Sequence, residues 1–553
     1  MHNRYPTPLL WGGIALLFFV GAAVFQTQTD ITQLTRETVR QAEVLADLRF
    51  TDAKRDSMLE GLEEQRINYR RLRSVPLPND VPPALVFNPI PPRFTFPAGP
   101  GGVQITPRPS PVLPPNVEDL AYASVGELSA LIRSRKVTSV RLTELFLRRL
   151  KKYSSTLQCV ITLTEERALR EAERADREIA RGIYRGPLHG IPYGAKDLLA
   201  TRGIATTWGS VPFRNQVFDY DATVIRKLEE AGAVLVAKLT MGELAWGDVW
   251  FGGMTRTPWD LDQGSSGSSA GPAAATAAGL VPFSIGTETW GSIVSPSVRC
   301  GVTGLRPTYG RVSRFGAMAL SWSMDKIGPI CRSVEDCAVV LNAINGADGL
   351  DQTVLDVPFS YTPSVDLSRL RIGYVRASFD SAGANDRAVL DVYRRLGAEV
   401  VPIELPRLPI NDCSLILSAE AAAAFDDLTR SGKDDLLVRQ IKHAWPNAFR
   451  TARMIPAVEY IQANRLRTLL IREMQEVMRR VDCYLAPADD DNLLLTNLTG
   501  HPSVVMPDGF SEKGTPTGIT LTGRLFDEGL LLAVAKKYQD ATAYQMKHPP
   551  LFP

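Results

Sequence analysis

The sequence predicts one large α/β domain carrying appendages on its amino-terminal side. Three observations carry this. The chain has 553 residues, 44% of them apolar, more than one ordinary domain needs and enough for a sizeable core. Amphipathic helical stretches alternate with short apolar runs of strand length. A glycine- and serine-rich stretch, residues 264–308, then sets two turns around an alanine-rich run.

Composition excludes several classes. The formal charge is +2, which argues for neither nucleic acid nor an acidic partner. Six cysteines in so long a chain are no disulfide framework. Cys331 and Cys337 lack a C-x-x-C spacing, and no H-E-x-x-H occurs. No metal and no cofactor are expected.

Residues 8–25, PLLWGGIALLFFVGAAVF, carry no charge. A membrane span needs about 17–25 apolar residues, so residues 1–29 are expected to be a signal anchor. The rival is a cleaved signal peptide, with Gly21-Ala22-Ala23 as its cleavage site and a secreted product. Arg4 precedes the run, and the next basic residue is Arg36. Positive-inside therefore puts the bulk of the chain outside the cytoplasm, in the periplasm, held by a single-pass transmembrane helix.

Residues 30–74 are charged, with Gly61 the one helix breaker before Ser74. Ile31, Leu34, Leu45, Leu48, Leu59 and Leu62 recur at helical spacings, but Thr38, Gln41 and Asp52 break the heptad. The reading is a stalk helix, roughly 65 Å long if continuous at ~1.5 Å per residue. A homodimer through it is compatible with the pattern. Residues 75–115 are dense in proline and read as an extended linker.

From residue 116 the main domain begins. Ser124 opens one amphipathic helix, 139–151 is a second and 165–181 a third. The third runs into Gly186-Pro187-Leu188-His189-Gly190-Ile191-Pro192-Tyr193-Gly194-Ala195-Lys196-Asp197. Taken alone, Lys196 reads as an exposed strand-end lysine. Lys238 closes a similar apolar run and reads as structural or peripheral. His189 invites a Ser-His-Asp reading, yet none of His2, His189, His443, His501 and His548 sits in a Gly-x-Ser-x-Gly context.

The stretch 264–308 carries most information. Its first six letters, GSSGSS, read alone as a flexible linker. The continuation argues otherwise: an apolar run at 280–285, a second glycine turn, then GVTGLRPT. Glycine turns with exposed N–H groups and a serine can set a nucleophile beside an oxyanion site.

These motifs resemble the amidase signature family of serine hydrolases. Its members carry Gly-Gly-Ser-Ser-Gly-Gly, then Gly-Thr-Asp-Thr-Gly-Gly-Ser-Ile-Arg, then Cys-Gly-Val-x-Gly-Leu-Lys-Pro-Thr. This chain offers Ser266-Gly267-Ser268-Ser269-Ala270-Gly271, then Gly286-Thr287-Glu288-Thr289-Trp290-Gly291-Ser292-Ile293-Val294, then Cys300-Gly301-Val302-Thr303-Gly304-Leu305-Arg306-Pro307-Thr308. The likeness extends over roughly 116–542 and takes in the lysine motif ending at Lys196. It implies an α/β/α sandwich with a large mixed twisted sheet over 116–553. It also implies catalysis by Lys196, Ser268 and Ser292, with Ser292 the nucleophile. Ser268 would relay protons through a cis Gly267–Ser268 peptide. Backbone N–H groups of Thr289, Trp290, Gly291 and Ser292 would form the oxyanion hole, and His189 would serve packing or hydrogen bonding near the lysine strand.

The departures concern substrate and local geometry. Trp290 replaces a glycine and would be strained at positive φ. Val294 replaces an arginine, and Glu288 the aspartate that pairs with it, leaving Arg299 to supply the charge from another angle. Ala270 and Pro272 replace a glycine and a serine. The expected activity is hydrolysis of the C–N bond of a small-molecule amide by a membrane-held enzyme with no nucleic-acid partner. The alternatives are the amidase subunit of a tRNA-dependent amidotransferase and a non-catalytic scaffold.

Overall fold

The computed structural model describes residues 34–107 and 112–553. It divides into two units, Met1–Pro78 and Asn79–Pro553.

In the first unit the expected continuous stalk is instead two helices, Arg36–Ala46 and Asp52–Arg73. Asp47 ends the first in the left-handed region, and Thr51 caps the second by accepting from Lys54 N–H. Ion pairs Arg36–Asp56 and Arg55–Glu43 hold the second helix back against the first. The local cap chemistry therefore overrides the uninterrupted helical composition.

The membrane anchor is corrected here. Residues 8–25 lie outside the described residues, and among those described no helix is long and apolar enough to cross a membrane. Asp52–Arg73 has the length, with 22 residues, but it is charged throughout. The transmembrane, single-pass reading is withdrawn.

In the second unit, eleven strands among the described residues form one mixed sheet. In chain order they are β1 (Val160–Leu163), β2 (Pro192–Lys196), β3 (Val234–Leu239), β4 (Phe283–Glu288), β5 (Thr303–Arg306) and β6 (Lys326–Cys331). β7 (Arg371–Val375), β8 (Glu399–Ile403), β9 (Cys483–Pro487), β10 (Ser503–Phe510) and β11 (Pro516–Gly523) complete it. Their spatial order is β8-β7-β9-β11-β10-β5-β6-β4-β2-β3-β1. β3, β2 and β4 run parallel to one another, and β6 is antiparallel to β4. These central strands are buried along their whole length, as continuous apolar runs covered on both faces must be. The architecture is α/β, as expected.

Helices Ser139–Leu157 and Glu165–Ala180 present apolar stripes to the sheet, including Leu142, Phe146, Ala168 and Ala172. The helix Ala270–Ala277 is buried on every side. Alanine is what permits this, because larger side chains would hold neighbouring backbones apart.

The proline-rich stretch differs from a free spacer. From Asn79 onward it lies on the second unit. Asn79 exchanges two hydrogen bonds with the Ala319 backbone, at 2.9 and 2.7 Å. Gly102–Val103 pairs in parallel with Ser360–Tyr361, and Thr106 donates twice to Glu335. Composition excluded helix here but gave no partner for the extended chain.

Candidate active site

Because β2, β3 and β4 are parallel, Lys196, Leu239 and Glu288 end at the same edge of the sheet, where α/β proteins place their ligands. Lys196 is the last residue of β2 and is fully buried. Its Nζ donates to Ser268 Oγ at 2.8 Å, Thr287 Oγ1 at 2.8 Å, Ser269 Oγ at 3.1 Å and Thr287 O at 3.4 Å. Every partner is a hydroxyl or a carbonyl. Burial pulls the ammonium's pKa down to about 7, against the opposing attraction of Asp325 and Glu288.

Asp197 follows directly, and alternation along the strand turns it to the other face. It accepts from Thr207 N and Oγ1 at 2.8 and 2.5 Å and pairs with Lys238 at 3.1 Å. Lys238 also donates to Thr206 Oγ1 at 2.8 Å. Lys238 is therefore structural, as read, but fully buried rather than peripheral.

The two serine turns meet beside Lys196. The Gly267–Ser268 peptide is cis. Ser269 N–H donates to Ser292 O at 3.1 Å, tying the first turn to the second. Ser269 Oγ donates to Thr287 O at 3.0 Å and accepts Thr287 N–H at 3.1 Å. A Cβ at Gly286 would sit 2.8 Å from that same hydroxyl, so glycine is required there. Ser292 is buried, and its Oγ makes no hydrogen bond among the described residues.

Backbone N–H groups of Thr289, Trp290, Gly291 and Ser292 likewise make no hydrogen bond among the described residues. Gly291 takes the positive φ of this turn, 82°. Trp290 does not, so the tryptophan is unstrained, with 43% of it exposed. Free N–H groups in a fixed turn are the material of an oxyanion site.

Glu288 braces the turn from below. Its Oε2 accepts Ile293 N–H and Val294 N–H at 2.8 and 2.9 Å. Its Oε1 accepts from Arg306 at 2.8 Å and Asn497 at 2.9 Å. Burial works against this carboxylate, but Arg306 and the hydrogen bonds hold it down to about 2. The compensating cation is thus Arg306, not Arg299, which is exposed and donates to Gln263. Sequence reasoning also missed Thr287 and Ser269. The only signals for them were their places beside Glu288 and Ser268.

His189 sits elsewhere in the network. Its Nδ1 accepts Arg185 N–H at 3.1 Å, its Nε2 lies 3.0 Å from Glu178, and burial lowers its pKa. A Cβ at Gly232 would meet its ring at 2.4 Å, a packing role. Among the described residues no group of three or more His, Cys, Asp or Glu could hold a metal ion.

The chain matches the Amidase family model over residues 141–532. A glutamyl-tRNA(Gln) amidotransferase subunit of Roseiflexus sp. (strain RS-1) is 36% identical over 473 residues, covering 76% of this chain and 96% of that protein. Among solved structures, the peptide amidase of Stenotrophomonas maltophilia aligns with a TM-score of 0.71 at 31% identity, covering 79% of this chain and 99% of that one. The corresponding glutamyl-tRNA(Gln) amidotransferase subunit of Thermotoga maritima aligns at 0.64 and 27%, covering 76% and 95%.

These likenesses correct two further expectations. A membrane-held, extracytoplasmic enzyme acting alone on a small molecule, or dimerising through its stalk, has no support among relatives named as subunits of an amidotransferase. The exclusion of nucleic acid also falls, since those relatives belong to an assembly named for a tRNA. Net charge is a sum over the whole chain and does not exclude a nucleic-acid partner. The sequence likeness, the mixed eleven-stranded sheet and the matched model agree: the chain belongs to the amidase signature family.

Proposed function

We propose that the chain cleaves a carboxamide through an acyl-enzyme on Ser292, with Ser268 and Lys196 moving the proton. Neutral Lys196 Nζ accepts the Ser268 proton as Ser268 Oγ accepts that of Ser292. Ser292 Oγ attacks the carbonyl carbon, and the oxyanion is held by N–H groups of the 289–292 turn. The proton returns through Ser268 to the leaving nitrogen, which departs as ammonia or an amine. Water then attacks the ester by the same path and regenerates Ser292. The observation that carries this reading is a fully buried lysine bonded to hydroxyls and a carbonyl, with its pKa near 7. Ser292→Ala should abolish both turnover and fluorophosphonate labelling. Labelling that persists on Ser268 or Ser265 would move the nucleophile.

The likeness to curated relatives over nearly their whole length favours this chemistry within an amidotransferase, the chain serving to cleave the amide there. Ammonia release stimulated by partner subunits and glutamyl-tRNA(Gln) would support it, and indifference to both would count against it. A second reading, hydrolysis without transfer, is favoured by the higher TM-score with the peptide amidase, 0.71 against 0.64.

A further inference from the structure

A cavity of about 490 Å³ opens beside the lysine cluster, within the range of ligand sites. It reaches Thr287, which accepts from Lys196, and Thr289, which begins the turn leading to Ser292. The 79–87 segment forms one wall and 314–322 another. The family model begins only at residue 141, so the first wall lies outside the residues it matches.

That segment is fastened at both ends. Asn79 is bonded to Ala319. Phe87 packs edge-on against Tyr309 at 5.0 Å, with the Arg467 guanidinium 3.4 Å from its ring centre. Between the anchors, Pro82 and Pro83 fix φ and offer no N–H. The result is a stiff, apolar strap.

Apart from Asp80, the charged groups around the cavity are already engaged. Arg314 is bonded to Asp351, Thr353 and the Trp322 carbonyl. Asp325 accepts from Thr289, Leu320 N–H and Ser321 N–H. Lys326 donates to the Met324 carbonyl. What remains for a ligand is mainly Leu198, Phe315, Met318, Leu320, Trp322 and the strap. Asp80, exposed and itself lining the cavity, makes no ion pair among the described residues and would repel an anion.

We propose that the 79–87 strap is a specificity wall, and that the amide cleaved at Ser292 carries an uncharged, largely apolar arm lying between the strap and 314–322. This rests on the hydrolytic reading above and adds the class of amide.

The test measures binding of acetamide, butanamide and hexanamide to the full chain carrying Ser292→Ala, by calorimetry, with adipic acid monoamide as the anionic control. Hexanamide should bind at least about tenfold tighter than acetamide, since a methylene in an apolar pocket is worth tenfold or more. The anionic control should lose most of that gain. Asn79→Ala and Phe87→Ala should each shrink the hexanamide-to-acetamide ratio, while Phe87→Leu should retain it. The same ratio in kcat/KM of the parent chain should fall through KM rather than kcat in the strap variants. Equal affinities along the series, or a ratio untouched by both strap variants, would overturn the proposal. If the Ser292→Ala chain still turned over amide, the hydrolytic reading would fail by itself, and the affinities would still judge the strap.

Discussion

Lys196 and Lys238 stand side by side on neighbouring parallel strands, and Lys238 is in register with Ala195. Both are fully buried, and burial lowers the pKa of both. Their surroundings differ in one respect. Lys238 has a carboxylate, Asp197, at 3.1 Å, whereas Lys196 has only hydroxyls and a carbonyl. A buried lysine beside a carboxylate has its charge opposed by burial and favoured by the pair, and it serves the fold. One without a carboxylate gives up its proton near neutrality and can accept another. The alternation of side chains along β2 is what sends Asp197 to Lys238 and away from Lys196.

The largest expected effect breaks this comparison on the Lys196 side. Lys196→Arg keeps a cation but cannot supply a neutral base. Amide turnover per folded molecule should fall by about 10³-fold or more, with the far-UV spectrum near the parent's and a lower Tm, because the buried guanidinium has no carboxylate partner. Near-parent turnover would return the site to other chemistry.

On the Lys238 side the loss should appear in stability. Lys238→Met strands the Asp197 carboxylate in the core, which costs about 3–5 kcal/mol. Turnover per folded molecule should persist. Lys238→Met combined with Asp197→Leu should recover much of the loss, because a buried pair is replaceable by apolar residues of similar volume. Denaturant midpoints check both variants. Arg306→Met should behave like the single change, stranding Glu288, and should also lower turnover, because Glu288 braces the N–H groups next to Ser292.

A smaller effect sharpens the comparison through pH. The unfolded chain holds the Lys196 proton up to its ordinary value of 10.5, and the folded chain only to about 7. Between these the unfolded state carries more protons, so this group makes stability rise with pH. The rise, measured by denaturant unfolding from pH 7 to 10, should be smaller in Lys196→Met than in the parent. It should not vanish, because Lys238 and Lys326, also lowered by burial, still contribute. Smallest is Trp290→Gly. With 43% of the indole exposed beside the turn, its loss should reorder acyl preference by less than about tenfold. A uniform drop of about 10²–10³ would mean damaged oxyanion geometry instead.

The parts of the site legible in the sequence are those written in consecutive residues. Glycine turns flank Ser268 and Ser292, and an apolar run ends at Lys196, so local chemistry identifies them. Arg306 was illegible because its contact with Glu288 forms across the sheet. Its strand β5 is separated from β4 by β6, and no spacing rule reaches over that gap. Arg299 is nearer in sequence, but the helix Val294–Cys300 turns it to solvent. The stalk misled in the opposite way, since its composition is helical throughout and only the caps at Asp47 and Thr51 mark the reversal. The 79–87 strap falls within the 75–115 linker that the proline content predicts, but proline content cannot say what an extended chain will lie against.

The central claim is that a neutral Lys196 is the base for Ser292. The rate of Ser292 labelling by a fluorophosphonate, followed from pH 5 to 10, tests it without need of the natural substrate. The account predicts a rate that rises through a single ionisation near pH 7, is unchanged in His189→Ala, and is lost in Lys196→Arg. A profile that vanishes in His189→Ala, or survives in Lys196→Arg, would contradict it.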